Sequence, residues 1–255
     1  MRIGIIGLAG RMGRLLAEEA RAAGHDLVGG TVRDGGAPPP DGVAVLPGLG
    51  ALAADSDAVI DFTVASTVQH HATILAASNA IWVLGTSGLS PDDETAVAAA
   101  ATRIPVVYSA NFSPGITLLL ELAARMAAAL PGDAYDAEIV DMHHRHKVDA
   151  PSGTAVALGR AVASGRGVDL ATHTESGRDG HTGPRRPGAI GFAALRGGQV
   201  VGEHTLLFAG ASEHVALTHR AFDRRVFATG AIRAAGWAVG RTPGLYSMGD
   251  VMGVT

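Results

Sequence analysis

The chain has 255 residues, 47% of them hydrophobic and 17% charged, the proportions of a globular protein with room for two domains. Its formal net charge of −4 and its scattered arginines leave no basic stripe on which a nucleic acid would lie. Zero cysteines exclude disulfides, thiolate nucleophiles and cysteine-held metal clusters together.

From the amino terminus, short apolar runs alternate with helical patterns. The spacing predicts strand Arg2 to Ile6, helix Met12 to Ala23, strand Asp26 to Thr31, strand Ala58 to Phe62, helix Val64 to Asn79, strand Ile81 to Leu84, helix Pro91 to Thr102 and strand Val106 to Tyr108. Such alternation implies a parallel sheet with helices on both faces. After Pro114 the rhythm changes: a long helix to Leu130, strand Ala134 to His143, helix Ser152 to about Arg166, then strands Ala189 to Leu195, Val200 to Phe208 and His214 to Thr218. This reads as a second, α+β domain with a mixed or mostly antiparallel sheet. A last helix, Arg224 to Val239, and the tail "PGLYSMGDVMG" fit either domain by pattern. We assign residues 1–114 and 223–255 to the first domain and 115–222 to the second. No stretch reaches the ~18 apolar residues of a membrane span. The nearest, "ITLLLELAARMAAAL", carries Glu121 and Arg125 at helix-surface ion-pair spacing, so no membrane is expected as a partner.

Gly7, Gly10 and Gly13 stand directly between the first strand and the first helix, in "IGIIGLAGRMGRLL". Glycines there permit a tight turn and let helix N–H groups approach a pyrophosphate, although they also serve simple strand–helix packing. Arg11 is placed to neutralise phosphate charge. At the end of the second strand stand Arg33 and Asp34: an acid there holds a ribose 2′-hydroxyl and an arginine a 2′-phosphate, so the residues leave NADH and NADPH both open. "DFT" (Asp61 to Thr63), "GTSG" (Gly85 to Gly88) and "SANFS" (Ser109 to Ser113) follow later parallel strands, at the edge where open α/β sheets bind ligands.

"HHRHKVDAPSGT", residues 143 to 154, gathers His143, His144, His146 and Lys147, the one lysine among 20 basic residues. Surface charge, metal binding and acid–base chemistry compete as explanations. The histidines lack the spacing of a helical zinc site and no clearly spaced carboxylate completes a shell, so no metal is expected. Lysine, unlike arginine, gives up a proton when desolvated. His143 and Lys147, four apart, would point the same way on a strand or a helix. "PSGT" has the form of a helix start with Ser152 as N-cap, whose N–H groups at Gly153 and Thr154 suit a carboxylate. The loop from Gly177 to Gly191, rich in Gly and Arg, reads either as a closing segment or as an exposed loop.

"GLAGRMG", "DFT", "SANFS", "HHRHKVDAPSGTA", "GEH" and "GLYSMGDV", in this order over nearly the whole chain, resemble the 4-hydroxy-tetrahydrodipicolinate (dihydrodipicolinate) reductases of diaminopimelate and lysine biosynthesis. The resemblance implies a Rossmann-type α/β domain followed by a substrate-binding and oligomerisation domain. It also implies NADPH and/or NADH as cofactor, a cyclic dicarboxylate substrate, a homotetramer and a cytoplasmic setting. Carried over by motif, Gly7, Leu8, Ala9, Gly10, Arg11 and Met12 would bind pyrophosphate. Phe62 and Thr63 would bind the cofactor, and Gly85, Thr86 and Ser87 with Ser109, Ala110, Asn111 and Phe112 would line the nicotinamide site. His143 would be the catalytic proton donor or acceptor and Lys147 the proton donor, while His144, Gly153 and Thr154 would hold substrate carboxylate. The family usually places an acid before the arginine at the second strand end, whereas this chain has Arg33 then Asp34. Another two-domain dehydrogenase would share the glycine turn but lack "HHRHK" with "PSGT"; a non-catalytic dinucleotide sensor would need no deprotonable lysine.

Overall fold

The structure, a computed structural model, describes residues 1–33 and 35–254. The chain divides into two compact units, residues 1–114 with 224–253 and residues 115–223 with 254. The first unit runs β1 (Arg2–Ile6), α1 (Arg11–Ala22), β2 (Asp26–Thr31), α2 (Leu49–Asp55), β3 (Ala58–Asp61), α3 (Val68–Leu75), β4 (Ile81–Leu84), α4 (Pro91–Ala101) and β5 (Pro105–Tyr108). From α5 (Pro114–Ala129) the second unit continues through β6 (Asp136–His143), α6 (Gly153–Arg166), α7 (Leu170–His173), β7 (Thr174–Ser176), β8 (Ile190–Arg196), β9 (Gly202–Ala209) and β10 (His214–Ala221). Then α8 (Arg225–Ala238), β11 (Gly244–Tyr246) and α9 (Met248–Met252) complete the first unit.

The first sheet has six parallel strands in the order β11-β5-β4-β3-β1-β2. Its strands read as near-continuous apolar runs because both faces are covered. Ile3, Ile5, Ile60 and Val83 pack on one side with α1 and α8, whereas Ile6, Val59, Trp82 and Leu84 pack on the other with α2, α3 and α4. This is a Rossmann-like α/β architecture. The strand order reverses at β1, so the switch point where such sheets bind ligands lies between the ends of β1 and β3. Helix α4 starts where Ser90 and Asp93 form a capping box ahead of Pro91.

The second sheet is mixed, in the order β10-β9-β6-β8-β7, with β6 parallel to β8 and antiparallel to β9. Strict alternation decides its faces. Ala137 and Ile139 of β6, Leu206 and Phe208 of β9 and Ile190 of β8 pack against Ile116 and Leu119 of α5 and Leu158 and Val162 of α6. By the same register Val140, Met142, Leu195 and Leu207 belong to the opposite face, which none of the core residues of α5 and α6 reaches.

Some expected boundaries move. The helix predicted over 64–79 is a short 3-10 turn, Ala65–Thr67, followed by α3 alone. It stops early because the Ser78 hydroxyl and N–H both donate to the Leu75 carbonyl. Helices α2, α7 and α9 and strands β7 and β11 were not expected; each is at most seven residues, too short for periodicity to show.

Candidate active site

Register aligns Ile6, Thr31, Asp61, Leu84 and Tyr108 across β1 to β5, so the segments expected to hold a dinucleotide leave from one edge of the first sheet. Gly7 has φ +74°, a left-handed conformation that side chains rarely adopt. A Cβ on Gly13 would lie 2.3 Å from the Gly7 carbonyl oxygen, so only glycine allows α1 to start this close to the turn. Gly10 caps that helix without a side-chain bond, which leaves its first N–H groups to an outside acceptor. Leu8 is fully buried in the core and serves through its backbone, while Arg11 is exposed, and Ala9 and Met12 are half-buried. A dinucleotide's pyrophosphate fits this cradle, which any Cβ would fill.

Around it, Asp61 is fully buried at the end of β3 and accepts from the Thr63 N–H at 3.0 Å, the Thr63 hydroxyl at 2.6 Å and the His71 Nδ1 at 2.8 Å. Phe62 lies over Gly85, where a Cβ would come within 2.3 Å of its ring, and its ring centroid is 5.4 Å from that of buried Phe112. Thr86 is buried with its hydroxyl lacking a partner among the described residues, while Ser87 is exposed. Ser109 and Asn111 form a local turn, with the Ser109 hydroxyl donating to the Asn111 carbonyl at 2.7 Å, and Ala110 is exposed. Arg33 is exposed beyond β2; Asp34 lies outside the described residues. Sequence reasoning missed Arg224, just before α8, whose pKa is lowered by burial and by the charge of Arg11. A depression of about 1050 Å³ at the opposite, amino-terminal strand edge, lined by Arg2, Asp57, Pro105 and Arg241, has none of these features.

In the second unit β6 delivers His143 at its last residue, on the face packed by helices, so the ring is only 8% exposed. Space for it comes from Gly202, where a Cβ would sit 3.0 Å from His143 Nε2. Burial holds the His143 pKa below the ordinary histidine value; Asp141 pulls it up, and Lys147 and Arg196 push it down. The imidazole is therefore neutral near pH 7. Beyond it the chain is neither strand nor helix, which corrects the expectation that His143 and Lys147 align by periodicity: Lys147 N–H closes a turn onto the His144 carbonyl at 3.1 Å. Its Nζ pairs with Asp149 at 2.8 Å, with a fifth of the side chain exposed. The His144 N–H donates to Val200 O at 2.8 Å, and His146 is exposed. No cluster of three or more metal-ligating side chains occurs among the described residues.

Ser152 caps α6, its hydroxyl accepting from the Ala155 N–H at 3.2 Å. Gly153 heads the helix exposed, where a Cβ would meet nothing within 4 Å, and Thr154 follows half-buried. Two further residues that the sequence did not single out lie behind it. Asp141 is 1% exposed and His204 4%. The Ser152 hydroxyl also shares a hydrogen bond with His204 Nε2, 3.2 Å away. Burial pushes the His204 pKa down to about 4, so this ring, edge-on to His143 with centroids 5.1 Å apart, is neutral. The alternation of Ala137, Ile139, Asp141 and His143 was the signal that would have found Asp141. The Gly/Arg-rich loop is held by Arg178 on Glu138 and by Arg185 on Asp136 and Glu138.

Known proteins similar to this chain point to one family. The family model described as "Dihydrodipicolinate reductase, N-terminus" matches residues 1–112, and "Dihydrodipicolinate reductase, C-terminus" matches residues 115–252. The 4-hydroxy-tetrahydrodipicolinate reductase of Granulibacter bethesdensis is 65% identical over 255 residues, all of this chain and 97% of that protein. That of Gluconacetobacter diazotrophicus is 62% identical over 254 residues, 100% of this chain and 98% of that one. Among solved structures, the dipicolinate-bound dihydrodipicolinate reductase from Paenisporosarcina sp. TG-14 shares the fold, with a TM-score of 0.79 at 23% identity over 97% of each chain. With both halves matched in order and relatives this similar along its whole length, the chain belongs to the dihydrodipicolinate reductase family.

Proposed function

We propose that this chain reduces 4-hydroxy-tetrahydrodipicolinate to tetrahydrodipicolinate in diaminopimelate and lysine biosynthesis, with His143 and Lys147 moving the protons. The observation that carries the reading is one unit that holds the neutral, buried His143, the charge of Lys147 acting on it and the helix start at Ser152 and Gly153, on a chain whose other unit has a dinucleotide turn. When bound, a reduced nicotinamide supplies the hydride. Gly7 to Met12 hold its pyrophosphate; Phe62, Thr63, Gly85 to Ser87 and Ser109 to Phe112 flank its ring. Gly153 and Thr154 bind a substrate carboxylate through the N-terminus of α6, and His144 adds a donor. The Lys147 ammonium stabilises negative charge that develops on the substrate and returns a proton, while His143 accepts or donates at its ring nitrogen and the substrate 4-hydroxyl leaves as water.

Arg33 favours NADPH by offering a guanidinium to a 2′-phosphate, with NADH also used. The open face of the second sheet, carrying Val140, Met142, Leu195 and Leu207, supports assembly into a homotetramer through that unit; the setting is cytoplasmic, the compartment of the pathway. The test is oxidation of NADPH and NADH by the purified protein with freshly generated 4-hydroxy-tetrahydrodipicolinate. Absence of substrate-dependent oxidation with either cofactor would refute the reading. Sedimentation of wild type and Leu207→Glu tests the assembly: a tetramer that the charge disrupts supports it, a wild-type monomer refutes it.

A further inference from the structure

Asp141 is a buried carboxylate bonded to Ser152 and Arg196 behind the second unit's site. Its Oδ2 accepts from the Ser152 N–H at 2.6 Å, which fixes the entry to α6 and so the Gly153–Thr154 helix start. Its Oδ1 accepts from Arg196 Nη1 and lies 3.6 Å from His143 Nδ1, too far for a hydrogen bond, so it acts on that ring through its charge. Arg196 in turn donates through Nη2 to the Asp149 carbonyl at 2.7 Å, and Asp149 pairs with Lys147. One carboxylate thus joins the strand end that carries the proton-transferring histidine, the loop that carries the lysine, and the helix that receives the substrate anion. Register explains why it sits there: Asp141 follows Ala137 and Ile139 on the buried face of β6 and opposes His204 on β9.

A carboxylate in such a place is disfavoured by burial, which raises its pKa, but the Arg196 and Ser152 hydrogen bonds outweigh this and leave the group more acidic than usual. It is an ion, and its charge is felt by His143. Resting on the reading that His143 moves a proton, we propose that Asp141 is a positioning residue for the reduction: it fixes the entry to α6 and sets the basicity of His143 through its charge, while Arg196 opposes it electrostatically and ties the Lys147 loop into the same network. The charged and titratable groups facing His143 are Asp141 on its own strand, Arg196 on β8, His204 on β9 with His219 of β10 behind it, and Lys147 and Asp149 in the following loop; the start of α6 adds the Ser152 hydroxyl.

The two partners must act in opposite senses. Asp141→Asn removes the charge that raises the His143 pKa, so its titration moves to lower pH, by about one unit or more. Arg196→Gln removes a charge that lowers it, so the titration moves to higher pH. Both are read by nuclear magnetic resonance of histidine-labelled, cofactor-free protein, with His143→Ala to assign the resonance, and again as the inflection in the pH profile of kcat/KM. The Asn variant should also lose about 10- to 100-fold in kcat/KM through misplacement, with dinucleotide affinity unchanged, and Asp141→Glu should restore the inflection ahead of the rate. A role confined to stability would lower the melting temperature without opposite shifts. If Asp141→Asn does not fold, the upward shift in Arg196→Gln still decides the matter. Unmoved or same-direction titrations overturn the proposal alone, whereas a kinetic inflection that persists in His143→Ala removes the reading beneath it.

Discussion

Lys147 is the one lysine of the chain, and its surroundings explain why arginine would not replace it: the ammonium meets Asp149 at the end of a tight turn and is the group able to release a proton. Lys147→Arg is expected to keep the charge and fold but lower kcat on the order of 10²-fold; near wild-type turnover in a stopped assay would reduce the role to charge alone. At the other ligand, Arg33→Ala should weaken NADPH by about 10- to 150-fold, the worth of a charge-assisted bond, and leave NADH almost unchanged. Equal losses in calorimetry would show that Arg33 does not read the 2′-phosphate. Asp34→Ala should do little to NADPH. Both candidates were legible as residues because each breaks a local pattern. Asp141, His204 and Arg224 were not, since a buried acid, histidine or arginine looks in sequence like any polar residue on a strand or at a helix end.

At the scale of elements, two helix starts carry the binding chemistry. In α1 the fit is steric: Gly13→Ala would place a Cβ 2.3 Å from the Gly7 carbonyl and 2.7 Å from that of Leu8. The turn must then open, and dinucleotide affinity should fall at least about tenfold while the second unit's substrate site is untouched; fluorescence titration with NADH reads this directly. In α6 the fit is electrostatic: Thr154→Pro removes one N–H from the helix start, so KM for the substrate should rise with cofactor affinity nearly constant. Parallel losses of both would indicate general damage. These elements were readable because glycine spacing, the Ser152 cap and apolar periodicity are short-range signals. The end of the strand at His143 was legible, but the turn that Lys147 closes onto His144 was not, because the four-residue spacing fits a strand and a helix alike.

For the whole molecule, buried histidine links stability to pH. His204 has its pKa depressed from 6.5 to about 4, so the folded protein binds fewer protons than the unfolded chain in that window. The stabilising balance is complete above about pH 6.5 and is lost as pH falls toward 4, by on the order of 3 kcal/mol. His204→Gln, which cannot titrate, should flatten that decline when denaturant unfolding is compared at about pH 7.5 and about pH 4.5. An unchanged slope would mean that His204 is not the group responsible. Lowered pKa values at His143 and His219, both caused first by burial, add to the fall with the same sign.

Local pattern was enough for the features written within a turn of helix or a pair of strand residues: the alternating α/β plan, the dinucleotide turn, the helix start at Ser152 and the histidine–lysine block. Tertiary structure alone decided which distant residues complete them. Arg196 reaches Asp141 across 55 positions and His204 reaches Ser152 across 52, and both contacts follow from β6 taking β8 as a parallel and β9 as an antiparallel neighbour. Strand partnership is settled by burying one face of the sheet against α5 and α6, a long-range balance of apolar area that no local pattern encodes.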